Sequence, residues 1–137
     1  MQKWIIGLLA SIMVAGCAPN FETDITSLER SFEDQRSAVA SNDGSAFLLS
    51  LESMIRLMER TMKAVDQMPA EDQWAAARRF AEVGDAGEKL YYSNDFRRFM
   101  DDEGQSNGEA GRIQSVFNKL KALNLNDWFA SKKSMSQ

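Results

Sequence analysis

Two sets of side chains in this 137-residue sequence have the types and spacing for chemistry: a methionine series and an alternating run of oxygen-bearing residues. Met54, Met58 and Met62 recur at i, i+4 and i+8, with Met68 nearby, so a helix would line their thioethers along one face. Such a face can hold a soft ion such as Cu(I), form an adaptable peptide-binding groove, or fill a core. Core filling is the favoured reading, because the partners that usually complete a copper site are missing. The sequence has no His and a single Cys. That composition also excludes a Cys–His pair, a Ser–His–Asp triad, a zinc cluster and an internal disulfide.

Asp101, Glu103, Gln105, Asn107 and Glu109 alternate in the manner of a calcium loop. The sixth position, however, is Ser106 where an EF-hand needs Gly, and the twelfth is Arg112 where it needs Glu. A solvated loop is the reading that follows. Carboxylate pairs for glycoside cleavage could be drawn at will from 20 acidic residues, so no pairing is informative. No catalytic residue, metal site or cofactor is therefore assigned. A third group is of a different kind: Tyr91, Tyr92, Phe96, Phe99, Trp128 and Phe129 fall in short, irregular stretches, together with Arg97 and Arg98. These are types enriched at interface hot spots. Packing beneath a loop is the favoured reading of them, with a recognition surface for a protein segment next. As candidate partner-binding residues, Tyr91, Tyr92, Phe96, Arg97, Trp128 and Phe129 are carried forward.

The first residues carry the most specific signal. A positive start with Lys3 precedes an 11-residue stretch, Trp4 to Val14, that is apolar apart from Gly7 and Ser11. The small residues Ala15 and Gly16 follow. This is the layout of a secretory signal peptide, and it is too short to span a bilayer before Pro19, Asn20 and charged sequence intervene. Val14-Ala15-Gly16-Cys17 resembles the lipobox of bacterial lipoproteins, with the only Cys at the position the motif requires. The resemblance implies a diacylglyceryl thioether on Cys17, cleavage before it and acylation of the new amino group. That covalent lipid is the only non-protein group expected. The alternative is an ordinary signal-peptidase cut around Ala15-Gly16-Cys17-Ala18, leaving a soluble periplasmic protein.

Two or three acyl chains, at about 0.8 kcal/mol per buried methylene, tether a domain firmly without a spanning helix. In Gram-negative lipoproteins Asp after the Cys tends to retain the protein in the inner membrane, and here the residue is Ala18. The resemblance thus implies the outer membrane, with the domain facing the periplasm. Loss of residues 1–16 leaves 121 residues and shifts the formal charge from −4 to −5. An acidic balance without a basic run argues against nucleic acid as a partner.

The remaining chain must position these side chains, and its apolar spacing is helical nearly throughout. Phe21, Ile25, Leu28, Phe32 and Val39 form one narrow stripe, and Asn42-Asp43-Gly44 breaks it with turn and capping chemistry. Phe47, Leu48, Leu51, Met54, Ile55, Met58, Met62 and Val65 form a richer stripe that ends at Met68-Pro69. Trp74, Ala77, Phe80, Ala81 and Val83 predict a third helix, expected to continue, bent, past Gly84 and Gly87 to Tyr92. Ser93-Asn94-Asp95 caps a short segment ending at Asp101-Asp102-Glu103. Gly104 to Gly111 reads as a flexible loop. Ile113, Val116, Phe117, Leu120 and Leu123 predict a fifth helix, and Leu125, Trp128 and Phe129 a terminal turn. Lys132-Lys133 lies in a Ser-rich tail expected to be solvated.

No stretch alternates as a strand would. The expected fold is all-α: an antiparallel bundle of about four main helices plus short segments. The expected organisation is a cleaved signal at 1–16, a tether at 17–20, one helical domain at 21–130 and a flexible tail at 131–137. The expected function is non-catalytic: binding of another envelope protein as an assembly factor or accessory subunit. In size, anchor and helix content the layout is similar to that of secretin pilotins, though no motif matches. A small-ligand or surface-exclusion lipoprotein is the alternative, with a carboxylate-based cell-wall hydrolase behind it. Mass spectrometry of the mature amino terminus tests the anchor: a lipid-modified Cys17 is expected, and an unmodified Cys17 or a different first residue would contradict it.

Overall fold

The stripe that begins at Phe21 winds into helix α1 (Phe21–Ala40), which buries Phe21, Ile25, Leu28, Phe32 and Val39 together with Asp24 and Gln35. The computed structural model describes residues 21–106 and 108–137, so the expected signal segment 1–16, the expected tether 17–20 and Asn107 lie outside the described residues. At the end of α1, Asn42 takes a left-handed φ of 56°, a conformation Asn tolerates. Asp43 then caps helix α2 (Gly44–Asp66) by accepting from the Ala46 N–H at 3.0 Å. Every apolar residue of the second stripe is buried except Met62, which is half-buried.

Pro69 precedes helix α3 (Ala70–Glu88), whose first turn carries Glu71 and Asp72 where the helix dipole favours them. α3 runs through both glycines, and the chain tightens into a 3-10 turn at Lys89–Tyr92. Ser93 caps helix α4 (Asn94–Ser106) by accepting from the Phe96 N–H. Helix α5 (Ala110–Lys121) and helix α6 (Leu125–Met135) complete the order, with Asn124 at φ 54° turning the chain between them.

Cross-contacts fix the directions. Asp24 meets Arg60 and Gln35 meets Met54, so α1 and α2 form an antiparallel hairpin. Glu22 meets Arg79 and Phe32 meets Gly87, so α3 runs alongside α1 in the same sense. Lys132 meets Gln73 and Phe129 meets Phe80, so α6 is antiparallel to α3. The protein is an all-α helical bundle. Among the described residues no helix is long and apolar enough to cross a membrane.

Two stretches differ from the sequence expectation. The expected Gly104 to Gly111 loop is helical at 104–106 and again from Ala110, because Glu103 is fully buried against Gly44 at the start of α2 and holds the end of α4 to the bundle. Gly108, at φ 72°, closes that helix end by donating to the Glu103 carbonyl at 2.9 Å. The 131–137 tail is helical to Met135, and Lys132 is buried rather than solvated. Its ammonium donates to Gln73 Oε1 at 2.8 Å, pairs with Asp66 at 2.6 Å and lies 5.4 Å from the centre of the Trp128 ring.

The two glycines within α3 have opposite surroundings. A Cβ on Gly87 would overlap the Phe32 ring, whereas nothing lies within 4 Å of one on Gly84. Gly87 is therefore a close-packing point between α1 and α3. Gly87→Ala is expected to lower stability by about 1–3 kcal/mol through overpacking, and Gly84→Ala to raise it by up to about 1 kcal/mol through helix propensity. Urea unfolding of the two variants checks this, and equal effects would contradict it.

Candidate functional site

The groove with the most apolar side chains lies where α3, the 3-10 turn, α5 and the start of α6 diverge above the α1–α2 hairpin. It encloses about 700 Å³. Helical spacing builds each wall. Ala81, Gly84, Asp85 and Glu88 project from one face of α3, and Phe117, Leu120, Lys121 and Asn124 continue one face of α5. Phe32, Met54, Met58 and Phe80 form the base, all at most 4% exposed. Tyr91, Tyr92 and Phe129 close the sides.

The base is organised by one buried amide. Gln35 is fully buried and donates from Nε2 to the Met54 sulfur at 3.3 Å, while its Oε1 accepts from the Tyr91 hydroxyl at 2.5 Å. The Tyr91 hydroxyl also lies 3.6 Å from the Met54 sulfur. Burial pushes the Tyr91 phenol above its usual range, and the nearby Glu88 charge adds to that shift. Around Tyr91 the rings of Phe96 and Phe117 pack edge-on at 5.6 and 5.0 Å. A thioether so engaged contributes shape and polarisability to the groove.

The six candidate residues occupy three environments. Tyr91, Tyr92 and Phe129 line the groove, with Tyr92 78% exposed. Phe96 is buried in the core between Phe47, Tyr91 and Phe99, and Arg97 is exposed on α4 outside the groove lining. Trp128 is half-buried at the joint of α2, α3 and α6, where its indole N–H donates to Asp66 at 3.0 Å and its ring packs on Phe80. Of the methionine series, Met54 and Met58 reach the groove, while Met62 and Met68 are half-buried outside its lining.

The acidic side chains Asp85, Glu88 and Asp127 and the basic Lys121 stand exposed on the groove's rim. None of the four is ion-paired among the described residues. Among the described residues no three His, Cys, Asp or Glu side chains are grouped as metal ligands. The residues that sequence reading left out are the wall positions on α3 and α5 and the rim acids. Their i, i+3, i+4, i+7 spacing was the available signal.

Because the folded state raises the Tyr91 pKa, it keeps the phenol neutral where the unfolded chain ionises, near pH 10. This contribution to stability is complete below about pH 10 and declines as the pH climbs from there towards the folded-state value. Tyr91→Phe is expected to cost about 1–3 kcal/mol at neutral pH by leaving Gln35 without its donor, and to flatten the alkaline decline. Urea unfolding between neutral and strongly alkaline pH checks both, and parallel declines would contradict the assignment. No protein-family model matches the chain, and no curated protein or solved structure matches it.

Proposed function

We propose that this protein is a non-catalytic, lipid-anchored component of a bacterial envelope whose groove receives a segment of another envelope protein. The observation that carries the reading is the groove itself, with half-buried apolar walls left open above a closed apolar base. Its lining favours protein recognition over chemistry. Leu120 and Leu125 leave half-buried apolar surface on its walls, and Tyr91, Tyr92, Phe117 and Phe129 are of types concentrated in interface cores. The sequence has no His, and the groove's ionisable groups stand on its rim rather than in its base.

The anchor fits the same role. A lipid on Cys17 with α1 beginning at Phe21 would hold the groove within a short reach of the membrane. Ala18 favours the outer membrane, and the proposed partner is met on its periplasmic side. A second reading, a carrier of a small apolar ligand, is favoured by the groove volume of about 700 Å³, which lies within the range of small-molecule pockets.

A photo-cross-linking residue at Tyr92, inside the groove, and another at Leu49, exposed but outside its lining, separate the readings. In intact cells the Tyr92 position is expected to yield one stoichiometric protein adduct and the Leu49 position none. Filling the open space beside Gly84 with Gly84→Leu is expected to abolish the adduct with helicity unchanged. A small-molecule adduct at Tyr92, or a protein adduct insensitive to Gly84→Leu, would contradict the protein-docking reading.

A further inference from the structure

The groove's rim has a charge pattern that its base does not require. Asp85 and Glu88 lie one turn apart on α3, and Asp127 faces the same opening from the first turn of α6. All three are exposed and without an ion pair among the described residues, and Lys121 is the one basic residue in the lining. Six acids elsewhere are ion-paired, Glu22, Asp24, Glu33, Asp66, Asp95 and Glu109. Glu29, Asp34, Glu71, Asp72 and Glu82 are exposed without an ion pair among the described residues, as the rim acids are, so what marks the rim is three acids against Lys121 around one apolar groove. The rim thus keeps net negative charge above an apolar base. Two like charges at i and i+3 on one helix face repel each other, a local cost that a cation would relieve.

Gly84 adds a second feature, independent of charge. It lines the groove beside Asp85, and no atom lies within 4 Å of where its Cβ would be. The backbone of α3 is bare there, so a bound chain can approach it closely.

We infer that the groove is selective for a cationic peptide segment, one with apolar side chains that pack on Leu120, Leu125 and Phe129 and with Lys or Arg flanks that meet Asp85, Glu88 and Asp127. This rests on the protein-docking reading above and names the chemistry of its partner. Complementary rim charge sets partner choice and encounter rate, and its effect weakens as salt screens exposed charges. An acidic or neutral segment of equal apolar content lacks the matching flanks.

The test is a selection from a displayed library of random peptides on the full chain in nanodiscs, with empty nanodiscs removing lipid binders. Peptides are scored as groove-dependent when the Gly84→Leu chain does not retain them. The expected result is groove-dependent peptides rich in Lys or Arg beside apolar residues, binding at least tenfold more weakly to the Asp85→Lys, Glu88→Lys chain and losing affinity with added salt. Groove-dependent peptides that are neutral or acidic, or that bind the charge-reversed chain equally well, would overturn the cationic inference and leave protein docking standing. Absence of any groove-dependent peptide would overturn both.

Discussion

A buried side-chain amide must have its hydrogen bonds satisfied, and Gln35 imposes that constraint at the centre of the bundle. Left without a partner, such a group costs about 1–3 kcal/mol. Gln35 answers it with the Met54 sulfur on α2 and the Tyr91 hydroxyl on the 3-10 turn. Three separate pieces of chain are thereby held in one register. Because Tyr91 is fixed at this point, the chain leaves α3 through a tight turn, and Tyr92 is left projecting at the groove's edge. The groove wall is thus a consequence of pairing one amide.

Other buried polar groups fasten the remaining helices around it. Asp24, fully buried, takes two hydrogen bonds from Arg60 and ties the start of α1 to the end of α2. Arg60 itself is largely exposed, so the pair is partly screened and acts more as a register mark than as a large source of stability. Lys132, held by Asp66 and Gln73, closes α6 onto α2 and α3. That contact positions Phe129 at the groove and places Trp128 behind it. One turn beyond Gly84 on the same side of α3, Gly87 lets the Phe32 ring pack against bare backbone. Close packing at Gly87 and open space at Gly84 thus lie a turn apart on one helix.

Much of this was legible in the sequence. The Phe21-to-Val39 and Phe47-to-Val65 stripes, the Asp43 cap and the Pro69 break gave the first two helices and their turn nearly to the residue, because apolar period and capping chemistry agree there. The buried polar residues were not anticipated, although their positions were marked. Gln35 falls midway in the seven-residue gap between Phe32 and Val39, where the apolar stripe is interrupted, and Thr61 stands three residues after Met58 and four before Val65, on the same helix face. Lys132 continues the line from Leu125 and Trp128. Composition marked Gly104 to Gly111 as a loop, but long-range burial of Glu103 overrides local propensity there. The groove was the least legible feature, since its walls come from helices far apart in the chain and meet only through tertiary packing.

The central claim is that a protein partner docks on the walls that α3, α5 and α6 raise over the Met54 and Met58 base. Methyl-labelled methionine reports on it most directly, because Met54 and Met58 lie in the groove while Met135 is 52% exposed outside its lining. Spectra of the protein in nanodiscs, alone and with its cross-linking partner, are predicted to show the Met54 and Met58 methyl resonances shifting while Met135 stays in place. Unmoved Met54 and Met58 signals in a demonstrably bound complex would contradict the account.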